Sequence, residues 1–283
     1  MDIIGSKNSN GSTTRFLILT SARSGSNLVS SVINSHPNAI SKGEVFNLDS
    51  INRATARMAL LDPVNHLNNN LYLDHHPNIK AVGFKMMYAH ASEWYFDFAT
   101  KQHIMNSGHG KLKSKILEFD KVVKDVGRDH VRESMKGVWD SLSKDSELII
   151  IDLFRENTLK QYISSKVAIS TNSWTNYFGS SKITRIRFDP QEFFTYSEQL
   201  TTRRQARLGL FRENKVISIK YEDFVRDIDA NSISLQNGLG LSHRRPLIPL
   251  RKQSKRSMGE TVENFPEMRA ALVGTEWEQF LEV

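Results

Sequence analysis

Short apolar runs and amphipathic segments alternate along the chain, in the order expected of strands and helices. Residues 15–20 read Arg-Phe-Leu-Ile-Leu-Thr and are bounded by turn formers, which predicts a strand buried on both faces. A loop of small residues follows at 21–26. The next segment has the spacing of one helix face, with apolar residues at Leu28, Val29, Val32 and Ile33. His36-Pro37 ends this helix because the residue before a proline is disfavoured in the helical conformation.

The same order recurs in the rest of the chain. We predict further strands at 79–88, 147–154, 182–188 and 215–221. Helices are predicted at 130–142, at 158–170, in a long segment opened by Asp189-Pro190, and at 263–281 in two pieces broken near Gly274. Strands that alternate with helices predict an α/β fold, a three-layer αβα arrangement with a mainly parallel central sheet.

The polar segments divide the chain into an arm and one domain. Residues 1–14 are rich in Gly, Ser, Asn and Thr, which predicts a flexible N-terminal arm. Residues 15–283 are predicted to form a single domain. The stretches 49–78 and 101–127 are polar and weakly periodic, so we interpret them as insertions that shape a substrate entrance.

Composition narrows the possible chemistry. The 283 residues include no cysteine, which excludes disulfides, thiolate catalysis and cysteine-based metal sites, so oxygen and nitrogen groups must do the work. The 38 Lys and Arg residues exceed the 31 Asp and Glu residues, for a net charge of +7. This balance suggests a negatively charged partner and leaves nucleic acid, an anionic surface and a phosphorylated small molecule open.

Two further features concern cellular location. No apolar run reaches the roughly 18 residues that a membrane-spanning helix needs. The N-terminus lacks the basic and apolar regions of a secretory signal, so we expect a cytoplasmic protein.

The loop after the first strand is the most informative local feature. In a parallel sheet, ligands bind at the carboxyl ends of strands, where a helix N-terminus offers unpaired N–H groups to an anion. Gly25 lets the backbone approach an anion, and the neighbouring polar residues add donors: Arg23, Ser24, Ser26 and Asn27. The nucleoside-triphosphate motif G-x-x-x-x-G-K-[ST] is not present, which argues against an ordinary kinase or ATPase.

A second candidate anion site follows the strand at 147–154. Arg155 comes directly after this strand, so it should lie on the same edge of the sheet as the first loop. Ser164 and Ser165 follow on the next helix. Two neighbouring anion sites would then be available.

Several motifs, taken in order, resemble those of a known family. The motifs are Ser21-Ala-Arg-Ser-Gly-Ser-Asn-Leu28, Asn34-Ser-His-Pro37, Gly43-Glu-Val-Phe46, Gly83-Phe-Lys-Met-Met87, Leu153-Phe-Arg-Glu-Asn-Thr-Leu159 with Tyr162-Ile-Ser164, Lys220-Tyr-Glu-Asp-Phe224, Arg251-Lys-Gln253 and Val262-Glu-Asn-Phe-Pro-Glu-Met268. Together they resemble a bacterial-type sulfotransferase that uses 3′-phosphoadenosine 5′-phosphosulfate (PAPS). The resemblance spans nearly the whole chain beyond the arm and implies the P-loop nucleotide-kinase-like fold of that family.

The resemblance also implies residue roles. Residues 23–27 would cradle the 5′-phosphosulfate, that is Arg23, Ser24, Gly25, Ser26 and Asn27. Arg155 and Ser164 would hold the 3′-phosphate, and Arg251 with Lys252 would close over it. Glu44 matches the carboxylate proposed as catalytic base in bacterial members. Sulfuryl transfer, like phosphoryl transfer, requires such a base, an in-line nucleophile and cations around the spreading charge. The resemblance implies no metal.

Departures from the family pattern leave three roles open. Animal cytosolic relatives have a lysine where Arg23 stands, so Arg23 is a candidate for stabilising the leaving phosphate oxygen. Those relatives use a histidine base, which makes His36 a rival to Glu44. The spacing from Arg155 to Ser164 is one residue longer than in animal enzymes, so Ser165 is an alternative to Ser164.

The implied activity is transfer of a sulfuryl group from PAPS to a hydroxyl or amine of a small metabolite or carbohydrate. Two alternatives stand beside it: a nucleic-acid or polyanion-binding protein, which the basic segment 244–256 would serve, and a nucleotide kinase with a degenerate phosphate loop. The basic segment has no interleaved aromatic residue, which disfavours a nucleic-acid platform.

Other residues carry weaker signals. Lys85 either reaches the sulfate or forms an ion pair, and Trp174 either stacks on a ligand or packs in the core. His75-His76 has too few partners at ligand spacing to predict a metal site. The acidic residues that follow Tyr221, Glu222 and Asp223, are interpreted as a helix start favoured by the helix dipole.

Overall fold

A parallel five-stranded sheet forms the centre of the computed structural model, which describes residues 13–47, 59–72, 75–91, 121, 123–171, 184–247 and 256–281. The strands are β1 (Thr14–Thr20), β2 (Ala39–Glu44), β3 (Ala81–Met87), β4 (Ile149–Phe154) and β5 (Val216–Lys220). Their order is β2-β3-β1-β4-β5, and every neighbouring pair is parallel. This confirms the predicted α/β class.

Helices follow the strands along the chain. They are α1 (Ser26–Asn34), α2 (Pro63–Tyr72), α3 (Arg128–Ser143), α4 (Thr158–Thr171), α5 (Pro190–Leu208), α6 (Tyr221–Arg226), α7 (Ile228–Gly238), α8 (Met258–Thr261) and α9 (Phe265–Leu272), with short 3₁₀ turns at Gly209–Phe211 and Glu278–Phe280. The α5 start is as predicted, since the Asp189 side chain accepts a hydrogen bond from the Glu192 N–H and Pro190 occupies the first helical position.

The side chains of β1 show why helices cover both faces of the sheet. Alternate residues point to opposite faces. Phe16 and Ile18 pack with residues of α1 and α7, whereas Leu17 and Leu19 pack with residues of α3. All four side chains are fully buried, which confirms the predicted three-layer αβα arrangement.

Two sequence predictions of elements differ from the structure. The segment predicted as a strand at 182–188 forms, within its described part, a single bridge from Ile186 to Val262 and no strand. That prediction was wrong because Ile186 pairs with the C-terminal segment and not with the sheet. Conversely, β2 was not predicted, because its sequence Ala-Ile-Ser-Lys-Gly-Glu is too polar for an apolar-run signal.

The sheet order defines where a ligand site should lie. β1 lies between β3 and β4. The connection after β1 leads to β2 on one side, and the connection after β3 leads back past β1 to β4 on the other side. In parallel sheets the crevice at the carboxyl ends of such strands is the usual ligand site. The loop of residues 21–25 and Arg155 both lie at this edge, directly after β1 and β4.

Candidate functional site

Buried hydroxyl groups shape the loop between β1 and α1. Thr20 and Ser24 are fully buried. The Thr20 hydroxyl donates to the Leu153 carbonyl at 2.8 Å, which ties the loop to β4. The Ser24 hydroxyl donates to the Ser21 carbonyl at 2.8 Å and lies 2.5 Å from the Thr20 hydroxyl oxygen. The Ser24 side chain therefore holds the loop in shape and faces the protein interior.

Gln161 of α4 supports the same loop and was missed by sequence reasoning. Its amide nitrogen donates to the Ser21 hydroxyl at 2.7 Å and to the Ala22 carbonyl at 2.6 Å. The side chain is fully buried. A glutamine between the apolar residues of a predicted helix was the available signal, because a buried amide needs polar partners.

Arg23 has an unusual backbone conformation. Its φ is 63°, in the left-handed region that costs a non-glycine residue about 1–2 kcal/mol. In this conformation its guanidinium Nε donates to the Ser164 hydroxyl at 2.9 Å. The Ser165 hydroxyl instead donates to the Gln161 carbonyl within α4, at 3.0 Å. Of the two candidate serines, the structure brings Ser164 to Arg23.

Arg155 joins this pair. Its Nη1 donates to the Arg23 carbonyl at 3.3 Å, and its guanidinium lies over the Tyr221 ring, 5.1 Å from the ring centre. Burial lowers the pKa of Arg23, and the neighbouring charge of Arg155 lowers it further. Burial likewise lowers the pKa of Arg155, whereas Tyr221 and Glu222 act in the opposite direction. Two half-buried cations that repel each other form a place where an anion would be stabilising.

Position 25 requires a glycine for two reasons, its backbone conformation and the close contact of the Tyr221 ring. Its φ is 89°, and it precedes the first residue of α1. The Tyr221 ring occupies the position where a Cβ atom would be. Any side chain at position 25 would therefore displace the ring on which Arg155 rests.

A second group of polar side chains lies on the other side of the loop. Lys85 of β3 is 3% exposed, and its ammonium contacts the Asn27 amide oxygen at 2.7 Å and the Glu44 carboxylate at 2.9 Å. The Asn47 amide donates to the other Glu44 oxygen at 2.5 Å. Lys85 thus forms the ion pair that was one of its two predicted roles, and it links Glu44 to the first turn of α1.

An irregularity at the end of β2 brings Glu44 to Lys85. Ser41 pairs with Gly83 and Glu44 pairs with Lys85, so β2 has one residue more than β3 between these pairs. Gly43 lies in the bulge with a φ of 73°. Without the extra residue, alternation along the strand would place a different side chain opposite Lys85.

The surroundings of Glu44 keep it ionised. Burial opposes ionisation, but the charge and hydrogen bond of Lys85 and the hydrogen bond from Asn47 outweigh it, so the pKa of Glu44 is below its ordinary value. Nearby, burial lowers the pKa of His90 to about 4. At neutral pH the Glu44 carboxylate is therefore ionised and the His90 imidazole is neutral.

His36 belongs neither to the group of Arg23, Arg155 and Ser164 nor to the group around Lys85. It follows the C-terminal end of α1, about 14 Å along the helix from Gly25 at 1.5 Å per residue. Its Nδ1 accepts from the Asn38 N–H at 3.1 Å, and its Nε2 donates to the Ser242 carbonyl at 2.8 Å. Both ring nitrogens serve local structure, and the side chain is 2% exposed.

The remaining candidates lie elsewhere. Arg251, Lys252 and Trp174 lie outside the described residues, as do most of the N-terminal arm and much of both predicted insertions. His76 accepts a hydrogen bond from the Asn78 N–H at 3.3 Å. Over the described part of the chain, no group of three metal-ligating side chains was found, and no helix there is long and apolar enough to cross a membrane.

The chain is similar to solved structures, one of which is a bacterial enzyme. No family model and no curated protein matches the chain. The chain is similar to the crystal structure of a sulfotransferase from Alicyclobacillus acidocaldarius, with 12% sequence identity over 96% of this chain and 97% of that chain, at a TM-score of 0.48. At this level of similarity we infer function from the site residues and the sequence motifs alone.

Proposed function

We propose that the chain is a sulfotransferase that moves a sulfuryl group from PAPS to a hydroxyl or amine of a small metabolite or carbohydrate. The observation that carries the proposal is the convergence of Arg23, Arg155 and Ser164 at the carboxyl ends of β1 and β4. The first arginine comes from the loop after β1 and the second from the end of β4, as the sequence motifs imply. The product nucleotide would be 3′-phosphoadenosine 5′-phosphate.

The donor has two separate anionic groups, and the site has cations and donors for both. Arg155 and Ser164 would bind the 3′-phosphate. Arg23 and the start of α1 would bind the 5′-phosphosulfate, with Ser26 and Asn27 in the first helical turn. α1 begins without a side-chain cap, which suits an anion at its N–H groups. Arg251 and Lys252 remain proposed contacts to the 3′-phosphate.

The proposed chemistry is an in-line displacement at sulfur. The acceptor oxygen or nitrogen forms a bond to sulfur while the bond from sulfur to the phosphate oxygen breaks. Glu44 takes the proton from the acceptor, and the departing phosphate oxygen keeps the electron pair and its negative charge. Arg23 would stabilise this charge.

Lys85 holds the candidate base Glu44 in its ionised form. The lowered pKa keeps Glu44 unprotonated at neutral pH and also makes it a weaker base than an unpaired carboxylate. Lys85 also contacts Asn27, so the base is tied to the loop that would hold the sulfuryl group. His36 lacks such a connection, which favours Glu44 over His36 as the base.

A thermal-shift titration tests the proposal. A ligand that binds only the folded state stabilises it by about 2.7 kcal/mol at 100 times its Kd. We expect 3′-phosphoadenosine 5′-phosphate to raise the Tm well above the shift produced by ATP at equal concentration. No shift at millimolar 3′-phosphoadenosine 5′-phosphate would refute the proposal, and turnover of ATP with an acceptor would favour a kinase instead.

A second candidate function, polyanion binding, is favoured by one exposed segment. His243, Arg244 and Arg245 are exposed, and the Gln236 side chain holds the segment through both backbone groups of Arg244, each at 2.8 Å. Binding of a DNA or heparin probe should then weaken steeply with salt and be insensitive to Arg155→Ala. Absence of a gel shift at low salt would exclude this function.

A further inference from the structure

Glu222 lies beside Arg155, at the part of the candidate site that would bind the 3′-phosphate. It is the second residue of α6 and directly follows Tyr221, the ring that packs against Gly25 and Arg155. We propose that Glu222 is a positioning residue that sets Arg155 and the start of α4 for binding of the 3′-phosphate. The inference rests on the proposed function, and it goes beyond the helix-dipole role expected of this acid from the sequence.

The Glu222 carboxylate holds the backbone that follows Arg155. One oxygen accepts from the Glu156 N–H at 3.0 Å, and the other accepts from the Asn157 N–H at 3.2 Å. A carboxylate that spans two consecutive N–H groups fixes both the position and the orientation of that backbone. The segment from 155 to 157 is therefore held from α6, an element that comes some 65 residues later.

The same carboxylate faces the Arg155 side chain. Its Oε1 lies 3.6 Å from Arg155 Nε, which is an ion pair without a hydrogen bond. That buried Nε has no hydrogen-bond partner. Together with the Tyr221 ring, Glu222 therefore restrains the guanidinium whose Nη1 donates to the Arg23 carbonyl. Its terminal nitrogens are the groups that would reach a phosphate.

The restraint extends to α4. Asn157 caps this helix, since its side-chain oxygen accepts from the Lys160 N–H at 2.7 Å. Ser164, which contacts Arg23, lies two turns along the same helix. A displacement of Asn157 would therefore move Ser164 as well as Arg155.

Charge alone predicts the opposite effect from positioning. A carboxylate next to an anion site repels the anion, so loss of the Glu222 charge should strengthen phosphate binding if charge were its only contribution. If Glu222 acts by positioning, its loss should weaken binding of the 3′-phosphate despite the removed repulsion. The two explanations therefore differ in sign.

The experiment compares two nucleotides that differ by the 3′-phosphate. Titration calorimetry gives the Kd of 3′-phosphoadenosine 5′-phosphate (the bisphosphate) and of adenosine 5′-monophosphate for the full chain and its Glu222→Gln variant. We expect the preference for the bisphosphate to fall about tenfold in the variant. Asp223→Asn is the matched control, because it removes the same charge from the next residue, which pairs on the surface with Lys220 and Arg226. Its preference should stay within about twofold.

Two further variants separate positioning from general damage. Glu222→Asp keeps the charge and loses one methylene of reach, so it should also lose the preference, and it serves if Glu222→Gln does not fold. In an Arg155→Ala background, Glu222→Gln should lower the preference by a smaller factor, because only the path through Asn157 and α4 remains.

The outcomes distinguish the inference from the proposed function. An unchanged or increased preference in Glu222→Gln, with a wild-type preference for the bisphosphate, would overturn the positioning role and leave the proposed function standing. A loss that persists undiminished in the Arg155→Ala background would also overturn it. If the wild-type chain has no preference for the bisphosphate, both are wrong.

Discussion

Glu44 and Lys85 define the catalytic hypothesis at the scale of single residues. Their ion pair is half-buried, with side-chain exposures of 20% and 4%, and its geometry leaves Glu44 deprotonated. From the sequence, the resemblance implied Glu44 as the base, and His36 was its rival. Of the two, only Glu44 is linked through Lys85 to Asn27 in the first turn of α1.

Glu44→Gln should lower kcat by about 100-fold or more, because an amide cannot accept the acceptor's proton. The Kd of 3′-phosphoadenosine 5′-phosphate should change little. Steady-state kinetics, at a temperature where the folded state is verified by circular dichroism, measures the first value, and calorimetry measures the second. His36→Gln is the comparison: we expect it to keep turnover, and the reverse pattern would make His36 the base.

Arg155→Ala should weaken binding of 3′-phosphoadenosine 5′-phosphate by about 10- to 100-fold, since a charged hydrogen bond contributes about 1.5–3 kcal/mol. Adenosine 5′-monophosphate, which lacks the 3′-phosphate, should bind almost as before. Calorimetric titration provides both constants. Arg226→Ala removes an exposed arginine of α6 as a control, and an equal loss there would mean that only net charge matters.

At the scale of elements, the connection between β1 and α1 has the unusual backbone conformations of the site. It has two residues with positive φ, Arg23 and Gly25, and it is held by Thr20, Ser24 and Gln161 from inside. These buried hydrogen bonds restrain the loop in one conformation. A loop restrained in this way can bind an anion without reordering.

Gly25→Ala should destabilise the protein and weaken nucleotide binding together. The added Cβ meets the Tyr221 ring, and the left-handed conformation adds about 1 kcal/mol. Gly274→Ala is the control, because Gly274 has a φ of 75° but open space around its Cβ position. Denaturant unfolding of both variants should give the larger loss for Gly25→Ala, and equal losses would show that the Tyr221 contact does not matter.

Elements were predictable where local patterns dominate. β1, β4 and the start of α5 follow from apolar runs and from the Asp189 cap. The edge strand β2 could not be predicted in this way, because pairing with β3 makes it a strand and its own composition does not. Among site residues, the sequence indicated Arg23, Arg155 and Ser164, yet their roles remain predictions.

The contacts that organise the site were not predictable from the sequence. Gln161 reaches Ala22 across 139 positions, and Arg23 reaches Ser164 across 141. Glu222 contacts Asn157 across 65 positions. No local pattern encodes such pairs, because they depend on the order of the strands in the sheet.

At the scale of the whole molecule, His90 couples stability to pH. It is buried beside Glu44 and Lys85, and burial lowers its pKa to about 4 from 6.5. The unfolded chain takes up this proton as the pH falls through about 6.5, whereas the folded protein does so only near 4. The free energy of unfolding should therefore decrease as the pH is lowered through this window, and increase as the pH is raised through it.

Between pH 7 and pH 5, proton uptake by His90 in the unfolded chain should lower the free energy of unfolding by about 2 kcal/mol. Denaturant unfolding at both values measures the loss, and His90→Gln should show a loss smaller by that amount. The other buried histidines are present in both the wild-type protein and the variant, so their effects cancel when the two losses of stability are compared. Parallel pH profiles of the two proteins would contradict the prediction.

The position of β1 in the sheet also governs how the protein can fold during synthesis. Its β4 neighbour, reached by the Thr20 hydroxyl at Leu153, comes 133 residues later in the chain. At about 5–20 residues per second, a ribosome takes about 7–27 s to make that length. For this time the edge of β1 that pairs with β4 lacks its partner and is exposed to other nascent chains and to chaperones. Folding yield should thus depend on the rate of translation between β1 and β4.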